Sequence, residues 1–286
     1  MRVLLAGLCT VDVVQRVAEL PAPGEKVQSL QVDVAAGGPA TNAAVTAAAL
    51  GAEATLLTVL GAHPLAALAR ADLETHGVRV IDLAPAQSEP PPVSAVAVRD
   101  RDGERTVVSR NAEGRTFLAK APFFGAYGAG EADVVLLDGH HPAVALAVAE
   151  AAKAAGVPVV LDAGSWKPVL DELLPLVDVA ACSAHFSAPE PGLHERGVPT
   201  VITTAGPGPV RWSTADGRSG EVPVPAVEAR DTLGAGDVWH GALAVAVTRE
   251  RTVTDRIRFA NEVAAERVRQ VGPRSWTTAI AGRKTT

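Results

Sequence analysis

Short apolar runs alternate along the chain with longer segments of small, helix-compatible residues, and this alternation sets the first expectations. Val3–Ala6 reads as a buried strand running into Gly7, and Gln28–Val34 alternates polar and apolar positions like a half-exposed strand before Gly37-Gly38. Ala40–Leu50 predicts a helix closed by Gly51 at C′, and Ala54–Leu60 the next buried strand. Leu65–Thr75, Gly77 and Val78–Leu83 repeat that unit before Glu89–Pro92 interrupts it. Val93–Asn111 changes rhythm: two alternating runs about Asp102-Gly103 predict a hairpin. Together with the extended segment 13–34 it predicts a small β lid over the main sheet.

The helix and strand rhythm then resumes with Val134–Asp138, a helix over Pro142–Ala155, Val157–Asp162, a helix near Trp166–Leu174, and strands at Val177–Ala181 and Thr200–Thr204. Gly206-Pro207-Gly208-Pro209, Val210–Ser213, Asp216-Gly217 and Glu221–Val224 read as a peripheral hairpin, followed by helices over Gly236–Thr248 and Thr254–Gln270. Short valine-rich strands between alanine-rich helices favour a doubly wound α/β fold with helices on both faces of the sheet. No repeat or linker divides the sequence, so residues 1–286 are expected to form one domain with an inserted lid.

Composition narrows the partners. Aromatic residues make up only 3% of the chain, too few for stacking surfaces that bind glycans or single-stranded nucleic acid. The net charge of −6, with no long basic run, argues against a nucleic-acid partner. Two separated cysteines, Cys9 and Cys182, and an opening apolar stretch too short for a signal or membrane segment place the expected location in the cytoplasm, away from membranes.

The chemistry concentrates in Asp231-Thr232-Leu233-Gly234-Ala235-Gly236-Asp237, where two carboxylates bracket small residues at the start of an apolar helix. Unpaired N–H groups and the helix dipole favour an anion there, and a carboxylate at the same entrance can take a proton from a hydroxyl. The local alternative is an Asp N-cap with a glycine turn and no catalytic part. Upstream, Gly37-Gly38 lets backbone approach a ligand, and the Asn42 amide can both donate to and accept from a hydroxyl.

DTLGAGD resembles the DTxGAGD signature of the ribokinase-like, or PfkB, carbohydrate kinases, and Gly37-Gly38-Pro39-Ala40-Thr41-Asn42-Ala43 resembles their amino-terminal GGxxxNxA signature. The resemblance runs from Gly7 to about Gly272. It implies a three-layer α/β/α sandwich with a β lid, ATP and Mg²⁺ as partners of a sugar or sugar derivative, and a homodimer as in many relatives. Asp237 would be the catalytic base, with Gly234, Ala235 and Gly236 forming the anion hole. Asp12, Gly37, Gly38 and Asn42 would hold the sugar, with Arg105 and Arg110 of the lid hairpin and Asp138 as further substrate contacts. Thr203, Ala205, Gly206 and Gly208 resemble the nucleotide-side TxGxxG turn, with Ala205 in place of its first glycine; Asn261 and Gly272 fall on the adenine side. Asp231 and Thr232 would shape the signature loop and, in members activated by monovalent cations, its K⁺ site.

One departure stands out. Ser183 and Phe186 occupy the positions of an Asn and a Glu that many relatives use to organise magnesium and phosphate, as in the ketohexokinase-like and sulfofructose-kinase-like branches. Glu190 could compensate only if its loop folded back. Asp138-Gly139-His140-His141 lacks a third ligand motif and is not expected to bind a metal. Trp239 and His240 are expected to be packed, and Arg267 and Arg269 solvated. The sequence therefore points to ATP-dependent phosphorylation of a sugar hydroxyl, with a nucleoside or aminosugar kinase, or an inactive ligand sensor, as alternatives.

Overall fold

The computed structural model describes residues 1–112, 128–281 and 283. In chain order, β1 (Arg2–Ala6), β2 (Thr10–Val17) and β3 (Ser29–Gly37) lead into α1 (Pro39–Ala49), β4 (Glu53–Thr58), α2 (Pro64–Thr75) and β5 (Val78–Asp82). β6 (Val93–Arg99) and β7 (Arg105–Ser109) form the hairpin. There follow β8 (Val134–Leu137), α3 (Pro142–Ala154), β9 (Val159–Ala163), α4 (Leu170–Leu173) and β10 (Val179–Cys182). The chain continues through β11 (Thr200–Ala205), β12 (Gly208–Thr214), β13 (Ser219–Val222), α5 (Ala235–Arg249), α6 (Val253–Arg269) and α7 (Thr277–Ile280).

The main sheet has the order β13-β12-β11-β10-β9-β8-β1-β4-β5, parallel except for the antiparallel edge pairs made by β12 and β13. Its central strands β1, β8, β9 and β10 are buried on both faces because each face is covered by helices. Val3, Leu5, Val134 and Leu136 pack toward α1, α2, α5 and α6, while Leu4, Val135 and Leu137 pack toward α3 and α4. The alternation of Cβ directions along each strand thus divides one apolar run between two cores. This is the α/β/α sandwich expected from the sequence.

Strand order reverses between β1 and β8, and in open α/β sheets the crevice beyond the carboxyl ends at such a point is where ligands bind. Gly7 and Asp138 lie at those two ends.

Among the described residues a second sheet of four strands has the order β3-β2-β6-β7. β2 begins at Thr10 and β3 continues to Gly37, so Asp12 lies inside a strand, paired with Ala35. Along β2 the side chains of Asp12, Val14 and Arg16 share one face, and Val14 packs with Val96, Val98 and Leu233. Leu30, Val32 and Val34 of β3 and Val107 and Val108 of β7 remain exposed.

The helix expected over Trp166–Leu174 is a correction. Only Leu170–Leu173 is α-helical, followed by a 3₁₀ turn over Leu174–Leu176. Pro168 disfavours helical backbone at Lys167, and Pro175 removes an N–H that continuation would need.

Candidate active site

Two helices converge on the crevice. α1 opens with Gly38 at φ 99°, a conformation open to glycine, and a Cβ there would stand 2.5 Å from the Leu8 carbonyl oxygen. Gly37 is held bare by a different neighbour, since a Cβ on it would stand 2.0 Å from the Asp12 carboxylate. α5 opens with Gly234 in the left-handed region at φ 69°. The helices pack closely because Gly241 of α5 lies against α1, where a Cβ would be 2.5 Å from the Ala43 carbonyl oxygen. Gly241 is one turn beyond Asp237 and Ala43 follows Asn42, so this backbone approach brings the two side chains together. The Asn42 Nδ2 donates to Asp237 Oδ2 at 2.8 Å.

Asp12, Asn42 and Gly234 line one pocket with Val14, Ala35 and Leu233. The Asp237 carboxyl is pushed up to about 6: burial is the main cause, the charge of Asp162 adds to it, and the Asn42 hydrogen bond opposes it. Burial also raises the Asp12 carboxyl, against hydrogen bonds from Thr10 and Ser94. The Thr10 hydroxyl donates to Asp12 Oδ1 at 2.6 Å. A carboxylate poised near neutrality beside an orienting amide is equipped to accept a proton from a hydroxyl. The first-turn N–H groups of Gly236 and Asp237 have no carbonyl four residues back within α5. Ala235 N–H instead turns back to the Thr232 carbonyl at 3.3 Å.

Two neighbours of this pair were not legible as site residues. Arg274 Nη1 donates to Asn42 Oδ1 at 3.2 Å while Nη2 reaches Asp72 Oδ2 at 2.8 Å, which fixes the Asn42 amide with its NH₂ toward Asp237. On the following turn of α5, the buried His240 Nδ1 lies 3.1 Å from Asp162 Oδ2. Burial works against a charged His240, but Asp162 and Asp237 outweigh it and hold the imidazole above its ordinary value. His240 was expected to be packed, and it is; its link to Asp162 depends on β9 and α5 meeting across the sheet.

Asp138, expected among the substrate contacts, lies just beyond the end of β8. It is 1% exposed, and its oxygens accept from the N–H groups of Leu8 at 2.8 Å, Ala40 at 3.2 Å and His140 at 3.0 Å. It therefore caps α1 from a distant strand. Burial opposes ionisation, but His140 and these hydrogen bonds outweigh it and hold the carboxyl well below the usual range. Gly7 is bare because a Cβ would stand 2.2 Å from the Asp138 carboxylate.

The signature loop is enclosed by the second sheet. Thr232 Oγ1 donates to the Gly103 carbonyl at 3.1 Å and accepts from Arg105 Nη1 at 2.9 Å, so both side chains are committed to this junction. Gly103, at φ 68°, fits because a Cβ would be 2.9 Å from the Arg230 carbonyl oxygen. Arg110 is exposed beyond β7, away from this junction. Asp231 is buried, with Oδ1 accepting from Leu233 N–H and Oδ2 from Gly272 N–H, each at 3.0 Å. Arg267, expected to be solvated, is 1% exposed with Nη2 3.3 Å from Asp231 Oδ1. The apolar period of α6 conceals this, since only the fold shows which polar position meets a buried carboxylate.

On the expected nucleotide side, Ala205 and Gly208 close a tight turn through Gly206 at φ 57°, while Thr203 lines a groove with Arg211 and Trp212 on the edge hairpin. Ser183 Oγ donates to the Gly164 carbonyl at 3.0 Å, which joins the ends of β9 and β10. Phe186 packs near Trp166, with ring centroids 6.2 Å apart, and Glu190 stays exposed. Asn261, at 2% exposure, accepts from Trp239 Nε1 at 2.8 Å and donates to the Pro223 carbonyl at 3.1 Å, so its amide braces the 223 segment. Among the described residues no group of three or more His, Cys, Asp or Glu side chains is placed to hold a metal ion. No described helix is long and apolar enough to cross a membrane.

Comparison with known proteins finds relatives in sequence and fold along nearly the whole chain. The sequence model described as "pfkB family carbohydrate kinase" matches residues 2–186 and 188–279. A ribokinase of Haemophilus influenzae is 24% identical over 285 residues, which cover 94% of this chain and 92% of that protein. The crystal structure of a putative ribokinase from Agrobacterium tumefaciens superposes with a TM-score of 0.82 at 26% identity, covering 98% of this chain and 97% of that one. Arabidopsis thaliana ribokinase, solved in complex with ribose and ATP, has the same fold, with a TM-score of 0.76 at 22% identity and 99% coverage of both chains.

Proposed function

The chain belongs to the pfkB family and is an ATP-dependent carbohydrate kinase, and from that premise we propose that it transfers the γ-phosphoryl group to a hydroxyl of a small sugar, with Asp237 as general base. The observation that carries this reading is the Asn42–Asp237 hydrogen bond of 2.8 Å, made by an Asn42 that lines one pocket with Asp12. Asp12 and Asn42 orient the acceptor hydroxyls. The Asp237 carboxylate takes the proton from the attacking oxygen, and the N–H groups that open α5 face the charge developing on the phosphoryl oxygens. Mg²⁺ accompanying the nucleotide would supply charge neutralisation at the phosphates.

The second sheet acts as the lid in this reading. Its inward face carries Asp12, and the turn at Gly103 and the side chain of Arg105 rest on the signature loop. Its exposed Leu30, Val32, Val34 and Val108, on the face opposite Asp12, support a homodimer formed through this sheet.

Arabidopsis ribokinase was solved with ribose, so the acceptors to test begin with pentoses, followed by ketohexoses, aminosugars and nucleosides. ATP consumption that depends on one of these sugars, with a sugar phosphate as product, is the expected result. Binding of sugar and ATP with no transfer to any acceptor would instead identify a sensor.

A further inference from the structure

The oxygen atoms around Asp231 are already gathered by a cation that belongs to the chain. Arg267, near the end of α6, places Nη2 3.3 Å from Asp231 Oδ1, and its Nη1 donates to the main-chain carbonyls of Gln270 at 2.8 Å and Asp231 at 3.4 Å. The rest of the carboxylate is taken by the N–H groups of Leu233 and Gly272. From β2, Arg16 brings a second guanidinium to 3.9 Å from Asp231 Oδ2 while donating to the Arg230 carbonyl at 2.8 Å.

One carboxylate with several main-chain carbonyls is the kind of oxygen shell that suits K⁺ or Na⁺. Here a free ion would meet a buried guanidinium already bonded to those oxygens, with a second positive charge nearby, so the residues present do not fit a bound monovalent cation. Arginine suits the task because its planar fork can engage a carboxylate and two carbonyls together, which a lysine ammonium cannot match in geometry. Arg267 is also carried by α6, so its charge stays with the main body rather than with the second sheet.

We infer that the Arg267 guanidinium replaces a monovalent cation in fixing the loop that delivers Asp237, so that turnover does not require K⁺, Na⁺ or NH₄⁺. Arg267 is a positioning residue, acting through Asp231 and the loop that opens α5. The inference rests on the kinase reading only where turnover is measured.

The test compares the full-length protein in KCl, NaCl, NH₄Cl and tetramethylammonium chloride at an equal ionic strength of about 0.1 M. With MgATP and an accepted sugar, kcat and KM are expected to agree within about twofold across the salts, and the Tm without ligands to be independent of the cation. Arg267→Ala is expected to lose activity in tetramethylammonium and to regain part of it on addition of K⁺ or of low guanidinium, with Arg267→Lys intermediate. A rise in wild-type turnover of more than about fivefold with K⁺, or a saturable K⁺-specific rise in wild-type Tm, overturns the inference. Neither measurement depends on the variants folding. If no sugar is phosphorylated in any salt, the kinase reading fails while the Tm comparison still decides the question of the cation.

Discussion

Asn42 and Asp237, 195 residues apart in sequence, meet in a 2.8 Å hydrogen bond that joins the two glycine-rich motifs into one site. The amide is held from its other end by Arg274. If Asp237 is the base, Asp237→Asn should lower kcat by roughly 10²- to 10⁴-fold while sugar and ATP still bind. Single-turnover assays with calorimetric binding check this, and unchanged turnover removes Asp237 from the mechanism.

The pH dependence follows from the causes of the raised Asp237 pKa. A base with a pKa of about 6 is mostly ionised above that value, so kcat/KM should rise through about pH 6 and then level off. Asp162→Asn removes a charge that raises the pKa and should move this limb to lower pH. Asn42→Ala removes a hydrogen bond that lowers it and should move the limb upward. Shifts of the same sign in both variants would rule out this assignment of causes.

Stability should run opposite to activity at this position. The folded pKa of Asp237 lies above its unfolded value, so the ionised carboxylate opposes folding; the penalty is complete above about pH 6 and gone below about pH 4. Asp237→Asn should therefore raise stability at pH 8 by up to roughly 3 kcal/mol, with the gain shrinking toward pH 4. Denaturant melts at the two pH values measure it. A gain that does not vary with pH would point to packing.

Gly241→Ala should damage both fold and catalysis. The new Cβ would lie 2.5 Å from the Ala43 carbonyl oxygen and 2.8 Å from Cβ of Thr46, so α1 and α5 must separate. An overpacking cost of about 1–3 kcal/mol is expected, with a fall in kcat larger than the change in ATP KM, because the separation falls beside Asn42 and Asp237.

Asp138→Ala should destabilise without defining sugar preference. It removes the acceptor of the Leu8, Ala40 and His140 N–H groups, at a cost of about 3 kcal/mol or more. Because its folded pKa is depressed, the stability it supplies in the wild type is present at neutral pH and is lost as pH falls toward that depressed value. Urea melts of wild type and variant at pH 7 and in acid should therefore converge as the pH falls.

The alternation of valine-rich strands with alanine-rich helices determined the layered α/β fold, because strands covered on both faces must be continuously apolar and their crossovers need helices. The two glycine motifs and Asp237 were likewise local, since a helix that opens on Gly-Ala-Gly exposes its N–H groups whatever lies nearby. The tertiary structure decided the partners. Asp138, Asp162, Asn261 and Arg267 carry the same side chains on paper whether they face ligand, solvent or one another. Their roles were settled by which strand ends and helix turns the sheet order brought within hydrogen-bond reach. Burial then raised the stakes: an unpaired charge is costly in the interior, so Asp231 had to meet Arg267 and Asp138 had to meet three N–H groups. Hydrophobic periodicity has no term for such pairings, because they join positions far apart in sequence.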